Sequence, residues 1–456
     1  MHNTSSERIA AVCRAQRESF RAGETLSLKS RRENLKALKA ALKKWEKPLC
    51  EALWTDLHKS YEEALLTELS IVAGEIEDHI SHLGRWAAPQ RKPTPLKMFP
   101  SRSKTVPEPL GNSLIIAPWN YPVQLLLNPL VGALSAGCTA VLKPSPYVPE
   151  VSLTIEKMIS ETFPESLVAT VQGNRDVNRE LLGMKWDLIF FTGSPSLGRQ
   201  VMEAASKNLT PVVLELGGKS PCIVDSDADI DMAARRIAWG KSLNAGQTCI
   251  APDYLLLHED IKARFLKALS REFKSLLGEN PQESRHFVRI VNDRAFERLK
   301  GYLQCGDIVF GGRTDAGDRY FEPTVLDNVD PSSAVMQEEI FGPIFPVLTF
   351  SSLDGATDFI VDRPKPLALY YFGRSGGKVL ARTSSGGACI NDTIMHIANG
   401  NIPFGGVGNS GMSAYHGRQS FEVFSHMRSV VTTPTWIDLP FRYMPYRLFG
   451  LTKKLL

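Results

Sequence analysis

The chain contains 456 residues, of which 43% are hydrophobic and 22% are charged. This composition is typical of a globular protein, and the length allows two or three domains with sizeable cores. The 53 basic and 49 acidic side chains leave a formal net charge of +4, a surplus too small to indicate a nucleic-acid interface.

Seven cysteines are scattered along the chain without C-x-x-C spacing. An odd and dispersed set argues against a disulfide framework and against a metal site, and it favours a reducing compartment. The N-terminal residues lack the apolar run of a secretory signal. We therefore expect a cytoplasmic protein that holds no metal.

The segment up to about Arg85 is predicted to be helical, because apolar residues such as Leu35, Leu38 and Leu42 recur at three- and four-residue spacing. Residues 87–109 are rich in proline and in basic residues, so they cannot hold a long helix and predict an extended arm.

The stretch from Leu114 to Leu142 contains no charged residue and is long enough to cross a bilayer. Prolines and side-chain amides interrupt it, which a single lipid-facing helix would tolerate poorly. We interpret it as strand, loop, buried helix and strand within a soluble core.

From Leu110 to about Asp229, short apolar runs alternate with helical patterns. The predicted strands are NSLIIAP, CTAVLKPS, SLVATVQG, DLIFFTGS, PVVLEL and CIVDSD. A second alternating set follows Cys249. Such alternation predicts an α/β fold with doubly wound parallel sheets.

Three turns follow predicted strands, at the sheet edge where such folds bind ligands. They contain, in chain order, Trp119 and Asn120, then Lys143 and Ser145, then Gly193, Ser194 and Gly198. Glycine lets the backbone approach a ligand, and a helix N-terminus supplies N–H groups for a phosphate. The third turn lacks the G-x-G-x-x-G pattern, so an ordinary strand-to-helix turn is the alternative.

Two further residues are candidates for chemistry. Glu215 ends an apolar strand before Gly217 and Gly218, and a carboxyl buried there would have the raised pKa of a general base; a capping or paired glutamate is the alternative. Cys249 follows turn-forming residues and is either a nucleophile presented in a cleft or a core cysteine. Each pattern alone leaves both readings open.

Taken in order, seven motifs resemble those of the aldehyde dehydrogenase superfamily over nearly the whole chain. They are APWNYP, VLKPS, FFTGSPSLG, VLELGGKSP, NAGQTCIAP, EEIFGPI and PFGGVGNSGMSAYHG. The chain length and segments such as RPKPLALYYF are most similar to the short class 3 branch. The resemblance implies two Rossmann-like, doubly wound parallel-sheet domains and a small oligomerisation arm.

The implied domains are an NAD(P)-binding domain (residues 1–86 and 110–213), a catalytic domain (214–412), and an arm with the C-terminal tail (87–109 and 413–456). The implied activity is NAD(P)-dependent oxidation of an aldehyde to the carboxylic acid. By resemblance, Cys249 attacks the aldehyde to form a thiohemiacetal and then a thioester. The Asn120 amide and the Cys249 N–H stabilise the oxyanion, and Glu215 activates water.

Other functions stay open on the same residues. Acylating and reductive relatives share the fold, but they need no hydrolytic base such as Glu215. A non-catalytic structural protein would show damage at the nucleophile or at the cofactor turns, and none is visible. A Cys/His hydrolase would leave those turns unexplained.

The implied cofactor is NAD or NADP. Its expected contacts are Trp119, Lys143, Ser145, Gly193, Ser194, Gly198, Leu216, Gly217, Glu339 and Phe341. The family pattern usually reads Lys-Pro-Ser-Glu, whereas this chain reads KPSP and has Pro146 at the position of the acid that contacts the adenosine ribose. A carboxylate there would repel a 2′-phosphate, so its loss predicts use of both cofactors.

The implied substrates are medium- or long-chain aliphatic or aromatic aldehydes, with Tyr61 and residues 394–398 as a candidate entrance. The implied partner is a second copy of the chain, in a homodimer. The aromatic and basic tail, residues 436–456, is interpreted as part of the dimer arm, ahead of a peripheral membrane anchor, and its aromatic residues disfavour disorder.

Overall fold

The computed structural model describes residues 3–440, 443–450 and 453. The α-helices of this part of the chain are α1 (Ser6–Ala22), α2 (Leu28–Lys44), α3 (Glu46–Leu57), α4 (Tyr61–Ala64), α5 (Ser70–Trp86), α6 (Gln124–Ala136), α7 (Pro149–Thr162), α8 (Arg175–Gly183), α9 (Pro195–Ser206), α10 (Ile230–Ser242), α11 (Lys262–Leu277), α12 (Asp293–Tyr302), α13 (Ala334–Gln337), α14 (Leu353–Val361), α15 (Gly376–Arg382) and α16 (Arg418–Val423). A π-helical turn, Leu65–Leu69, joins α4 to α5.

The strands of the same part are β1 (Gln90–Lys92), β2 (Arg102–Pro109), β3 (Asn112–Ile116), β4 (Thr139–Lys143), β5 (Val168–Thr170), β6 (Leu188–Gly193), β7 (Val212–Leu216), β8 (Pro221–Val224), β9 (Tyr254–His258), β10 (Asp307–Phe310), β11 (Thr314–Asp315), β12 (Tyr320–Phe321), β13 (Thr324–Asp327), β14 (Ile344–Phe350), β15 (Ala368–Phe372), β16 (Gly387–Ile390), β17 (Gly411–Met412) and β18 (Ser425–Thr432).

The N-terminal layer is helical, as the apolar spacing predicts. Leu35, Leu38 and Leu42 all lie on the buried face of α2, and α2 packs against α5 and α6. Ser5 and Ser27 cap α1 and α2 by accepting hydrogen bonds from backbone N–H groups of their first turns.

The first large sheet has the strand order β17-β7-β6-β3-β4-β5. All its pairings are parallel except that of β17 with β7. The segment without charges forms β3, α6 and β4, as predicted, and α6 is buried along its whole length. No helix among the described residues is long and apolar enough to cross a membrane.

The second large sheet has the order β10-β13-β14-β9-β8-β15-β16, and its pairings are parallel except that of β10 with β13. The strand CIVDSD, which the alternating pattern grouped with the first set, is β8 and pairs with β9 and β15 of the second sheet. This agrees with the implied catalytic domain, which begins at residue 214, and not with that grouping. The chain crosses between the sheets after β7, so the expected domain boundary at residues 213 and 214 falls inside that strand.

Residues 90–109 form the predicted extended arm. β1 pairs with β2, and β18 pairs with the other side of β2, which gives a three-stranded antiparallel sheet. The tail beyond it exposes large apolar side chains, among them Trp436 and Phe449. Residues 441, 442, 451, 452 and 454–456 of the tail lie outside the described residues.

Candidate active site

Cys249 lies in a tight loop that follows α10. A 3-10 turn, Leu243–Gly246, precedes it, and Asn244 and Ala245 within that turn have φ angles of 51° and 50°. Such left-handed backbone is unfavourable for side chains other than glycine and occurs at functional sites. Contacts around the loop must therefore stabilise the backbone of this turn, which leads directly to Cys249.

Cys249, Asn120 and Glu215 line one cavity of about 860 Å³ between the two large sheets. Trp119 and Asn120 follow β3, Gly193 ends β6 with Ser194 directly after it, and Glu215 lies near the end of β7. The carboxyl ends of three strands therefore open onto the cavity. The other predicted cofactor residues on its wall are Leu216, Gly217, Glu339 and Phe341. The volume lies in the range of small-molecule and cofactor sites.

Glu215 is almost fully buried, and neither oxygen of its carboxyl group has a hydrogen-bond partner in the described structure. Burial raises its pKa well above the usual value. An unpaired buried polar group is costly to fold, which makes a purely structural role for this side chain unfavourable. A carboxyl group with a raised pKa in a cleft has the properties of a general base.

The Cys249 thiol is partly buried and lies near two carboxyl groups. Burial raises its pKa, and the charges of Glu339 and Glu215 raise it further, whereas the backbone N–H groups of Cys249 and Ile250 favour the thiolate. The balance favours the neutral thiol, so the surroundings do not by themselves supply the thiolate that a nucleophile needs.

Asn120 is buried, and its side-chain nitrogen donates a hydrogen bond of 3.0 Å to the carbonyl of Gln247, two residues before the cysteine. The amide group has a second hydrogen to offer toward the cavity. This contact links the turn after β3 to the cysteine loop, although the two segments are distant in sequence.

Glu339 and Phe341 lie on the loop before β14. Glu339 sits against the backbone of Gly217, where a Cβ atom would come within 1.9 Å of its carboxylate oxygen. Phe341, held at a φ of 51°, meets the ring of Trp119 edge-to-face with centroids 5.4 Å apart. Burial, followed by the charge of Asp253, raises the pKa of Glu339 well above its usual value.

The loop that carries Glu339 is held by side chains that the sequence analysis did not predict. Arg298 donates to the carbonyls of Glu339 and Ile340 at 3.2 and 2.6 Å. Lys219 donates to the carbonyl of Glu338 at 3.0 Å and pairs with Asp253. Of these residues, only Lys219 lies in a motif that the sequence analysis singled out, the GGKSP turn. Arg298 and Asp253 lie in helical or loop segments whose sequence pattern does not indicate this role.

Three predicted cofactor residues are not on the wall of this cavity. Lys143 is buried, donates to the carbonyl of Pro144 at 2.8 Å, and has a pKa lowered by burial to about 8. Ser145 is also buried, and Gly198 packs α9 onto β7, because a Cβ there would lie 2.7 Å from the Leu216 side chain. Tyr61 and residues 394–398, the candidate entrance, are not on the wall either.

Among the described residues, no group of three or more His, Cys, Asp and Glu side chains is placed to hold a metal ion. All seven cysteines are free in the structure.

The cavity between the two large sheets, with a thiol, a buried carboxyl group and an amide on its wall, lies where α/β folds of this kind bind ligands. The family model of the aldehyde dehydrogenase family matches residues 1–430, and the chain belongs to that family. Its members are oxidoreductases that act on aldehydes. The family predicted from the motifs is thus confirmed, and so is the predicted fold class.

Among similar proteins, aldehyde dehydrogenase family 3 member B1 of Homo sapiens is 46% identical over 428 residues, which cover 92% of this chain and 91% of the relative. The dimeric NADP-preferring aldehyde dehydrogenase of Canis lupus familiaris is 43% identical over 447 residues, covering 96% and 98%. The solved structure of the substrate-bound state of Staphylococcus aureus AldH has a TM-score of 0.96 and 44% identity, covering 98% of this chain and 99% of that one.

Proposed function

We propose that this aldehyde dehydrogenase oxidises apolar aldehydes to carboxylic acids, with NAD or NADP as acceptor, through a covalent intermediate on Cys249. The observation that supports this most directly is the convergence of Cys249, Asn120 and Glu215 on one cavity. A nucleophile, an oxyanion donor and a general base are the three groups that acyl chemistry on a thiol requires.

In the first step, the sulfur of Cys249 forms a bond to the carbonyl carbon of the aldehyde, and the π electrons move onto the carbonyl oxygen. The thiol must lose its proton as this happens. Glu215 and Glu339 are the two carboxyl groups whose charges act on the sulfur. Either of them, in its ionised form, can accept that proton directly or through a water molecule. The remaining Asn120 amide hydrogen and the Cys249 backbone N–H then stabilise the negative oxygen.

The cavity wall fits a nicotinamide dinucleotide. Ser194 caps the N-terminus of α9, which offers backbone N–H groups to a phosphate. Gly217 leaves room for Glu339, and Trp119 and Phe341 offer two aromatic faces. When bound, the nicotinamide ring supplies the two-electron acceptor for the aldehyde hydrogen.

In the second step, water hydrolyses the thioester that remains on Cys249. Glu215 takes a proton from the water, the hydroxyl bonds to the acyl carbon, and the carbon–sulfur bond breaks to return the cysteine and release the acid. The absence of hydrogen-bond partners on both Glu215 oxygens supports this role, since a free carboxylate oxygen is available to a water molecule.

Use of both cofactors is part of the proposal. Pro146 removes the carboxylate that would oppose a 2′-phosphate, and the relative from Canis lupus familiaris is named as NADP-preferring. Lys143 lies three residues away, and its lowered pKa reflects burial without a paired carboxylate. A phosphate nearby would favour its charged form.

The proposed substrates are medium- or long-chain aliphatic or aromatic aldehydes. Support comes from the segment around residues 390–404, which exposes Ile390, Met395 and Ile402. Phe404 of this segment packs edge-to-face on the ring of Tyr415. Burial, followed by the charges of Glu215 and Cys249, raises the pKa of Tyr415 well above its usual value. A homodimer and a cytoplasmic location complete the proposal.

The test is an absorbance assay for reduced nicotinamide, run on a panel of aldehydes of increasing chain length with NAD and with NADP. The product is identified as free acid, which separates hydrolysis from acyl transfer to coenzyme A. Cys249→Ala is expected to bind cofactor and form no acid, whereas Cys305→Ala, a second partly buried cysteine, keeps activity. Acid formation by Cys249→Ala would overturn the proposal.

A further inference from the structure

A fully buried ion pair lies under the turn that carries Asn120. Nζ of Lys59 is 2.6 Å from Oε1 of Glu68, and neither side chain has any exposure. Lys59 precedes α4, and Glu68 lies in the π-helical turn after it, so the pair belongs to the N-terminal helical layer rather than to either large sheet.

The pair bonds both ends of the turn after β3. Lys59 donates from Nζ to the backbone carbonyl of Asn120 at 3.0 Å. Oε2 of Glu68 accepts from the backbone N–H groups of Val123 at 2.8 Å and Gln124 at 3.3 Å. The ammonium group also lies 4.2 Å from the ring centre of Tyr121, between these bonds.

The same carbonyl is joined to the cysteine loop. The side-chain nitrogen of Asn244 donates to the carbonyls of Asn120 and Gln247, both at 3.0 Å. Glu63, from α4, accepts from the backbone N–H of Asn244 at 2.8 Å. Two donors therefore converge on the Asn120 carbonyl, one from the ion pair and one from the loop that presents Cys249.

A gain in folding stability does not explain why this ion pair is buried. Removing two charges from water is costly, and apolar replacements of similar size are often as stable. An ion pair can instead orient its neighbours, because each hydrogen bond that it makes holds a backbone group at a defined distance and angle. Here the fixed groups flank the side chain that stabilises the oxyanion.

We propose that Lys59 and Glu68 are positioning residues, which hold the Asn120 turn against the Cys249 loop so that the Asn120 amide meets the developing oxyanion. The inference rests on the oxyanion role of Asn120 in the proposed function. It predicts a loss in kcat rather than in cofactor binding, since neither residue lies on the cavity wall.

The test replaces both partners, in Lys59→Met/Glu68→Gln, so that no unpaired charge is left in the interior. We expect kcat to fall about 10- to 100-fold, because small misplacements of a catalytic group have effects of that size. KM for NAD(P) should stay within about twofold. The matched control is Lys262→Met/Asp327→Asn, which removes a 2.7 Å pair that lines a different cavity and should leave kcat unchanged.

A double-mutant cycle with Asn120→Ala separates positioning from general destabilisation. In the Asn120→Ala background, the pair replacement should cost less than about twofold in kcat, because its target is already gone. A full additive loss, or an unchanged kcat in the pair variant alone, would overturn the inference. If Asn120→Ala itself leaves kcat unchanged, the oxyanion role of Asn120 in the proposed function is wrong. If Asn120→Ala lowers kcat but the pair replacement does not, only the positioning inference is wrong. If the double replacement does not fold, Glu68→Gln alone is carried through the same cycle.

Discussion

Gly217 and Glu339 are packed so closely that a methyl group on the glycine would lie 1.9 Å from the carboxylate oxygen. Gly217 follows β7 of the first sheet, whereas Glu339 lies on the loop before β14 of the second sheet. Arg298 and Lys219 donate hydrogen bonds to the backbone of that loop, which restricts movement of the glutamate. We therefore expect Gly217→Ala to displace Glu339 and to raise KM for NAD(P) about tenfold or more. Steady-state kinetics with varied cofactor measures this.

The neighbouring glycine gives the control. A Cβ on Gly218 would make only an ordinary contact of 3.4 Å, so Gly218→Ala should keep a KM within about threefold of the parent. Equal effects of the two substitutions would show that the close approach at Gly217 does not matter for cofactor binding.

Replacing the proposed base should divide the reaction into its two halves. In Glu215→Gln, acylation of Cys249 continues while hydrolysis slows about 10²-fold or more, because the amide cannot accept a proton from water. Rapid mixing should give one equivalent of reduced nicotinamide per site, followed by slow turnover, and mass spectrometry should find an acyl group on Cys249. Fast multiple turnover in this variant would exclude Glu215 as the base.

The same substitution has a predicted effect on stability with a definite sign. The folded pKa of Glu215 is raised above its usual value of 4.5, so the folded state binds the proton more tightly than the unfolded state does. The contribution of this group to stability is full below pH 4.5 and is lost as pH rises toward the folded pKa. Glu215→Gln should therefore be more stable than the parent at pH 8, and the difference should shrink toward pH 4.5, as measured by denaturant unfolding.

The reactivity of Cys249 should follow its raised thiol pKa. In protein without cofactor, the rate of Cys249 alkylation by iodoacetamide should still be rising at about pH 10, where an ordinary thiol with a pKa of about 8.5 has nearly reached its plateau. Glu339→Gln removes the charge that, after burial, raises this pKa most, so its profile should shift to lower pH. Quantifying the Cys249 peptide by mass spectrometry separates it from the other cysteines. An unshifted profile would contradict the charge argument.

Cofactor choice can be tested at Pro146. Pro146→Glu restores a carboxylate next to the expected adenosine ribose and should lower kcat/KM for NADP about tenfold or more, with NAD little affected. Pro146→Gln has the same shape without the charge and should keep use of NADP. If both variants lose NADP turnover equally, the cause is the backbone change at the proline rather than repulsion of the phosphate.

Much of the fold follows from local pattern. β3, β4, β6 and β7 are short, mostly apolar runs bounded by turns. Residues at the carboxyl ends of β3, β6 and β7 line the cavity, whereas Lys143 and Ser145 at the end of β4 do not. The sheet to which a run belongs does not follow in the same way. β8 begins only five residues after β7 ends, yet it pairs in the other sheet. The direction of the intervening turn determines which sheet a strand joins, and hydrophobic periodicity carries no information about that direction.

The parts of the site that could not be predicted are those made by long-range polar contacts. Lys59 and Glu68 look like surface residues, since charged side chains are rarely fully buried unless they are paired. Arg298 lies on the polar side of the amphipathic helix α12, a pattern that predicts a solvent-exposed side chain. In each case the partner comes from a distant segment, and only the folded chain brings the two together.

The strand that carries Glu215 has a consequence for biosynthesis. Its outer neighbour, β17, comes from Gly411 and Met412, and the arm strand β2 is completed only by β18. A ribosome must therefore release nearly the whole polypeptide before either edge is covered, although domains usually begin to fold from the N-terminus during synthesis. In a nascent or prematurely terminated chain that ends before residue 411, β7, the strand that contains Glu215, has an unpaired edge. Such an edge is a template for pairing with another chain.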